Sequence, residues 1–256
     1  MLIAAAVCPH PPLLVPEAAG AVAAELDEVR AACDAAVAVL AAARPELIVV
    51  VGGAARAAEF DASSAGGLAG YGIGWRTGAG APVLPLSLTI GRWLLTRAGL
   101  LAAPAVTPPP GEFAAAAPPG ESPALPVRLI ATAFGAPTTA CLQLGAGIAG
   151  RAGRVALLAM GDGSARLSAQ APGYLDPRAQ PYDADVAAAL AGADVMRLAR
   201  LDPDLSADLL AAGRAAWQVL AGAAGDGAYH GRLHCAAAPY GVSYLVTSWT
   251  AAAAAA

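Results

Sequence analysis

Short apolar runs alternate along this chain with longer alanine-rich segments, and that alternation constrains the fold more than any other feature. Strands covered by helices produce such a pattern. The sequence therefore predicts an α/β fold, a three-layer sandwich with a mainly parallel or mixed central sheet. Leu2 to Val7, Leu47 to Val51 and Arg154 to Met160 read as strands. The second is continuous and mostly β-branched, as expected of a central strand buried on both faces. Glu17 to Ala43 reads as a helix stopped by Arg44-Pro45, and Ser87 to Leu100 as another. Asp183 to Leu198 and Asp204 to Ala221 have helical periodicity, entered through Pro181 and through Asp202-Pro203.

Other segments are less regular. Val83 to Leu86 is a strand candidate, and Arg232 to Ala237 pairs with Val242 to Thr247 across a Pro239-Tyr240-Gly241 turn. Gly52 to Gly80, rich in Gly, Ala and Ser, suggests a long irregular excursion over the strand ends. The proline-dense stretch Pro104 to Pro126 reads as a loop or polyproline segment able to cover a pocket. No linker composition interrupts the 256 residues, so residues 1–250 read as a single domain and 251–256 as an alanine tail without chemistry.

Composition removes several function classes. Lysine is absent, and the 15 positive charges are arginines scattered along a chain of net charge −4. Such a surface has no field for a polyanion, so no nucleic-acid partner is expected. The four cysteines, Cys8, Cys33, Cys141 and Cys235, have no CxxC spacing and sit in apolar segments, which suits buried thiols in a reducing, cytoplasmic setting. Glycines and prolines break the longest uncharged stretch, Leu129 to Gly150, so no membrane span is expected. The start of the chain lacks the charged beginning and cleavage site of a signal peptide.

Chemistry concentrates at Cys8-Pro9-His10-Pro11-Pro12, where a histidine leaves the end of the first apolar run. Prolines cannot continue a ladder, so the imidazole is expected at the rim of the sheet, where α/β proteins place their sites. Asp162, Ser164 and Arg166 follow directly from the end of another predicted strand, and with His10 they form the expected pocket. His230 and His234, the other two histidines, have the spacing of a helical metal pair. In a strand, however, such positions lie about 13 Å apart, so edge histidines are the better reading.

Two further motifs have bland explanations. Gly145-Ala146-Gly147-Ile148-Ala149-Gly150 matches the dinucleotide fingerprint by letter, yet the next strand begins within a few residues and leaves no helix to meet a pyrophosphate. A small-residue helix end explains it better. Ser164 lacks the glycine flanks of a nucleophile elbow, and a polar turn accounts for it without a hydrolase.

Taken together, CPHPPLLVP, the LIVVVGG strand end, GDGSARLSAQAPGY and APYGVSYLV make the chain resemble the class III extradiol ring-cleavage dioxygenase superfamily, which includes the Memo-like proteins. The resemblance runs from His10 to Val246. It implies a site at the strand ends where active members hold non-haem Fe(II) with two His and one Glu, while a further His acts as acid and base.

Position by position, His10 matches the first ligand, the one metal-ligand position retained. The second ligand falls near Gly53 or Ala54, the acid/base His on Ala165 and the Glu on Ala211. Methyl groups cannot ligate iron or move protons. Glu59 and Asp61, in the loop after the second strand, are the carboxylates that could replace the lost ligands. The leading expectation is an extradiol-dioxygenase-like protein that lost the Fe(II) site, needs no cofactor, and binds a small ligand or a protein partner through the old cleft. The alternative is an active non-haem metal-dependent dioxygenase with a site rearranged on His10 and Fe(II) as its cofactor. A subunit scaffolding a homo-oligomer is the third.

Overall fold

The computed structural model describes residues 1–101 and 125–252. Most of the proline-rich loop expected at Pro104 to Pro126, and residues 253–256 of the alanine tail, lie outside the described residues. The first strand, β1 (Leu2–Cys8), leads through α1 (Pro16–Ala19) and a 3-10 turn into α2 (Asp27–Ala42). The single helix expected from Glu17 to Ala43 is thus divided. Gly20, at φ 54°, takes a left-handed conformation that an α-helix cannot carry.

The next strand, β2 (Leu47–Ala54), is buried over its whole length, as a mostly β-branched central strand should be. The excursion after it is more ordered than its composition suggests. It holds β3 (Ala58–Asp61), β4 (Ser64–Gly67), β5 (Arg76–Thr77) and β6 (Ala79–Pro82). The first of these adds to the edge of the main sheet, and the others form a small sheet of their own, in the order β5-β4-β6. The strand expected at Val83 to Leu86 lies earlier, in β6. Pro85 instead caps α3 (Leu86–Arg97), and the amides of Val83 and Leu84 both donate to the Ala65 carbonyl.

A strand without a clear signature, β7 (Val127–Ala133), emerges where the proline-rich segment ends, and α4 (Thr138–Ala149) and β8 (Val155–Met160) follow. Each of the two long C-terminal helices expected from periodicity is two. The first becomes α5 (Ala179–Ala191) and α6 (Val195–Ala199), separated by Ala193 at φ 50° and by Asp194, whose carboxylate accepts from the Arg197 amide. The second becomes α7 (Pro203–Asp208) and α8 (Arg214–Ala224), separated by Leu210 at φ 56°. The chain closes with β9 (Tyr229–Ala237) and β10 (Tyr244–Ala251), joined by the expected turn with Gly241 at φ 71°.

The main sheet has seven strands in the order β3-β7-β2-β8-β1-β10-β9. The central four are parallel, and the outer strands run antiparallel to their inner neighbours, so the sheet is mixed. Helices α2 and α3 cover one face and α4, α5, α6 and α8 the other, giving three layers. Helix α3, which follows β2, and helix α5, which follows β8, lie on opposite faces of the sheet.

Helices α4 and α8 touch through backbone. A methyl group at Gly145 would collide with the Val219 carbonyl, and one at Gly222 with the Leu142 carbonyl. The glycine-rich stretch is therefore a helix end shaped for close packing, as its sequence context predicts. Gly147, on the same helix, faces open space. Replacing Gly147 with Ala should stabilise the protein by up to about 1 kcal/mol through helix propensity. Gly145→Ala should destabilise it by about 1–3 kcal/mol through overpacking. Urea midpoints of the two variants check the opposite signs.

Candidate functional site

Four strand ends line the carboxyl edge of the parallel core. In spatial order they lead to Phe134 after β7, Gly53 on β2, Gly161-Asp162 after β8, and His10 after β1. His10 is buried, its side chain 7% exposed, and the Asp162 carboxylate holds it in place. Asp162 Oδ1 accepts the His10 backbone amide at 2.8 Å and lies 3.7 Å from the ring Nδ1. The second distance is too long for a hydrogen bond, and Nδ1 has no partner among the described residues. Tyr244 stands beside this pair; burial, and then the Asp162 charge, push its phenol well above the ordinary tyrosine range.

The other two expected pocket residues turn elsewhere. Ser164 is wholly buried, and its amide donates to Asp183 Oδ1 at 2.9 Å while its hydroxyl donates to Oδ2. Burial pushes the Asp183 carboxyl above its ordinary range, against the lowering effect of these bonds. Arg166 packs on Gly173, and its carbonyl accepts the Asp176 amide. The structure brings His10 and Asp162 together, places Ser164 in an internal hydrogen-bond pair, and sends Arg166 onto the following loop. Sequence reasoning could not see Asp183, which is 19 positions away from Ser164.

Beyond His10, the Gly53 position is closed and the two carboxylates expected as substitute ligands are remote. Gly53 carries no room for a side chain: a methyl group there would strike the Phe134 ring and lie 3.0 Å from the Ala212 carbonyl. Glu59 sits on the edge strand β3 and receives two bonds from Arg151, at 2.6 and 3.0 Å. Those bonds hold its carboxyl below the usual range. Asp61 lies 3.8 Å from Arg128 on the same edge. Four strand spacings separate β3 from β1, about 19 Å, so neither carboxylate can share an ion with His10. Among the described residues, no three His, Cys, Asp or Glu side chains come together in a way that would hold a metal.

The histidines at the far edge follow the strand reading. His230 is exposed on β9, and His234 Nε2 lies 2.8 Å from the Ser248 hydroxyl. All four cysteines are free and buried, and burial pushes the Cys33 thiol well up. No helix among the described residues is long and apolar enough to cross a membrane.

A cavity of about 440 Å³ opens at the same carboxyl edge, displaced toward β7. Phe134, Pro203, Leu210, Ala211 and Ala212 form its apolar wall, and Arg214 contributes the buried cation. Three strand spacings, about 14 Å, lie between the β7 and β1 ends, so His10 stands at the other end of the row. Sequence reasoning missed Phe134 and Arg214. Arg214 fell inside the single helix expected from Asp204 to Ala221, so nothing local in the sequence marked it as the first residue of a helix.

The fold is similar to that in the crystal structure of uncharacterized protein JW3007 from Escherichia coli K12. The TM-score is 0.51 at 16% sequence identity, over 97% of this chain and 99% of that one. At that identity the likeness concerns the fold alone. No family model matches the chain, and no curated protein matches it.

The Ser164–Asp183 pair has a testable pH signature. The folded protein holds the Asp183 proton more tightly than the unfolded chain, so this group's contribution to stability falls as pH rises above the ordinary carboxylate value of 3.8. Asp183→Asn should therefore gain stability relative to the parent as pH rises from there toward neutrality. Asp183→Ala, which leaves two buried donors without an acceptor, should cost about 1–3 kcal/mol. Denaturant titrations at a series of pH values check both.

Proposed function

We propose that this protein is an extradiol-dioxygenase-like chain that has given up the iron site and uses the cleft at the strand ends to bind a small ligand. One observation carries the reading. The second histidine ligand is expected near Gly53 or Ala54; at Gly53 the Phe134 ring and the Ala212 carbonyl occupy the space a side chain would need, and Ala54 offers only a methyl group. The remaining substitutions act in the same direction. Ala165 replaces the expected acid/base, its amide donating to the Leu209 carbonyl, and Ala211 replaces the glutamate and lines the apolar cavity instead.

What remains of the ancestral chemistry is an imidazole beside one carboxylate. His10 and Asp162 alone supply too few ligands for a facial triad, and no step of metal-dependent ring cleavage can be assigned to these residues. The cavity supports binding: its volume falls in the range of small-molecule sites, and it lies where open α/β sheets place ligands.

Anaerobic reconstitution with Fe(II), followed by gel filtration, should leave substoichiometric iron. The treated protein should give no yellow ring-cleavage product from catechol or protocatechuate. Stoichiometric iron that disappears in His10→Ala, together with ring-cleavage activity, would overturn the reading in favour of a site rearranged on His10.

A further inference from the structure

We infer that the strand-end cavity selects an organic monocarboxylate, a ligand with one acidic group and an apolar body. The inference rests on the reading that this cleft holds a small ligand, and it names the chemical class.

Arg214 supplies the charge. It is 2% exposed and lies in the cavity wall. Its Nη1 donates to the Ala136 carbonyl at 2.6 Å and to Gln218 Oε1 at 3.0 Å, and its Nη2 donates to the Phe134 carbonyl. Cys141 Sγ lies 4.0 Å from Nη1; all four acceptors are neutral, and Nε, itself buried, has no acceptor among the described residues. No carboxylate lies within ion-pair distance of the guanidinium among the described residues. By contrast Arg30, also buried, is paired with Asp27. A guanidinium buried among neutral groups lacks the counterion that normally accompanies burial.

The backbone adds to the same field. Arg214 is the first residue of α8, whose eleven residues begin without any side-chain cap. The amides of the first turn therefore keep their partial positive charge beside the cation. The cation in the cavity wall favours an anion, and a planar carboxylate fits a guanidinium edge.

The rest of the cavity specifies an apolar body. Phe134 and Leu210 remain 49% and 47% exposed at its rim, and Leu210 is held at φ 56°, an uncommon conformation for a bulky side chain. Asp204, exposed on α7, is the acidic residue of the lining. Its charge repels a second acidic group at the outer end, so a dicarboxylate is disfavoured.

The test uses the full chain with octanoate and phenylacetate as probes, octanamide and phenylacetamide as neutral isosteres, and suberate as the dicarboxylate, all by isothermal titration calorimetry. The carboxylates should bind roughly 10–100-fold more tightly than their amides, the difference expected of a hydrogen bond to a charged group, and more tightly than suberate. Arg214→Gln should erase the preference for acid over amide. Because that variant disturbs the turn after β7 and could fail to fold, Ala207→Trp provides a second test. Ala207 is exposed and lines the cavity, so the bulky side chain should block binding of every probe and leave the melting temperature unchanged. Equal binding of acids and amides, each lost in Ala207→Trp, would overturn the carboxylate assignment and leave the ligand cleft standing. Absence of binding by all probes to the parent chain would overturn both.

Discussion

The carboxyl edge of the sheet is organised by a backbone contact that only glycine permits. Gly161, at the end of β8, lies against Gly213, the cap of α8, so closely that a methyl group on Gly161 would overlap the Gly213 Cα. The Gly213 amide donates to the Asp162 carbonyl at 2.8 Å, and the other side of Gly213 lies on the Trp217 ring. Trp217 is fully buried, so the strand end, the helix start and the core of one sheet face are fixed by the same few atoms. Larger residues at 161 or 213 would push α8 off the sheet, since close-packed interiors have no slack to absorb the added volume.

That contact distributes the chemistry of the edge. With α8 seated on the β8 end, Ala212 is pressed over Gly53 and Arg214 is carried toward β7, where it ties the carbonyls of Phe134 and Ala136. The apolar cavity forms on that side. On the other side of the contact Asp162 holds the His10 backbone. An edge that could have converged on one polyvalent centre is thereby divided into an imidazole–carboxylate pair and an apolar pocket with a buried cation. The Phe134 ring marks the division because it fills the space above the one strand end between them that could have donated a ligand.

Ser164 illustrates a different use of polarity. Its wholly buried hydroxyl and amide both give their hydrogen bonds to Asp183, so the carboxylate satisfies the turn after β8 rather than facing substrate. The two donors, which would otherwise be left without partners in the interior, offset the desolvation of that carboxylate only in part, and its proton is held above the ordinary range. The polar residues of a turn that reads like a site thus secure the position of Asp162, which does face the edge.

Periodicity and residue type were enough to determine the layers. Leu47 to Val51 had to be a central strand because a continuous apolar run needs both faces covered, and Pro9 and Pro11 had to release His10 at a rim because they cannot donate to a ladder. That the alanines at 165 and 211 and the glycine at 53 have no ligand chemistry was equally legible, since a methyl group or a hydrogen atom has no lone pair to offer. Helix breaks at Ala193 and Leu210 were not legible, because bulky or β-carbon-bearing residues enter the left-handed region only when tertiary contacts impose it. The location of β7 and the pairing of Ser164 with Asp183 depend on partners distant in sequence. So does the placement of Arg214, which is an ordinary arginine in the chain and becomes a buried cation only when α8 docks against the ends of β7, β2 and β8. Local chemistry therefore decided which residues could not hold a metal, and tertiary packing decided where the remaining charge and cavity would meet.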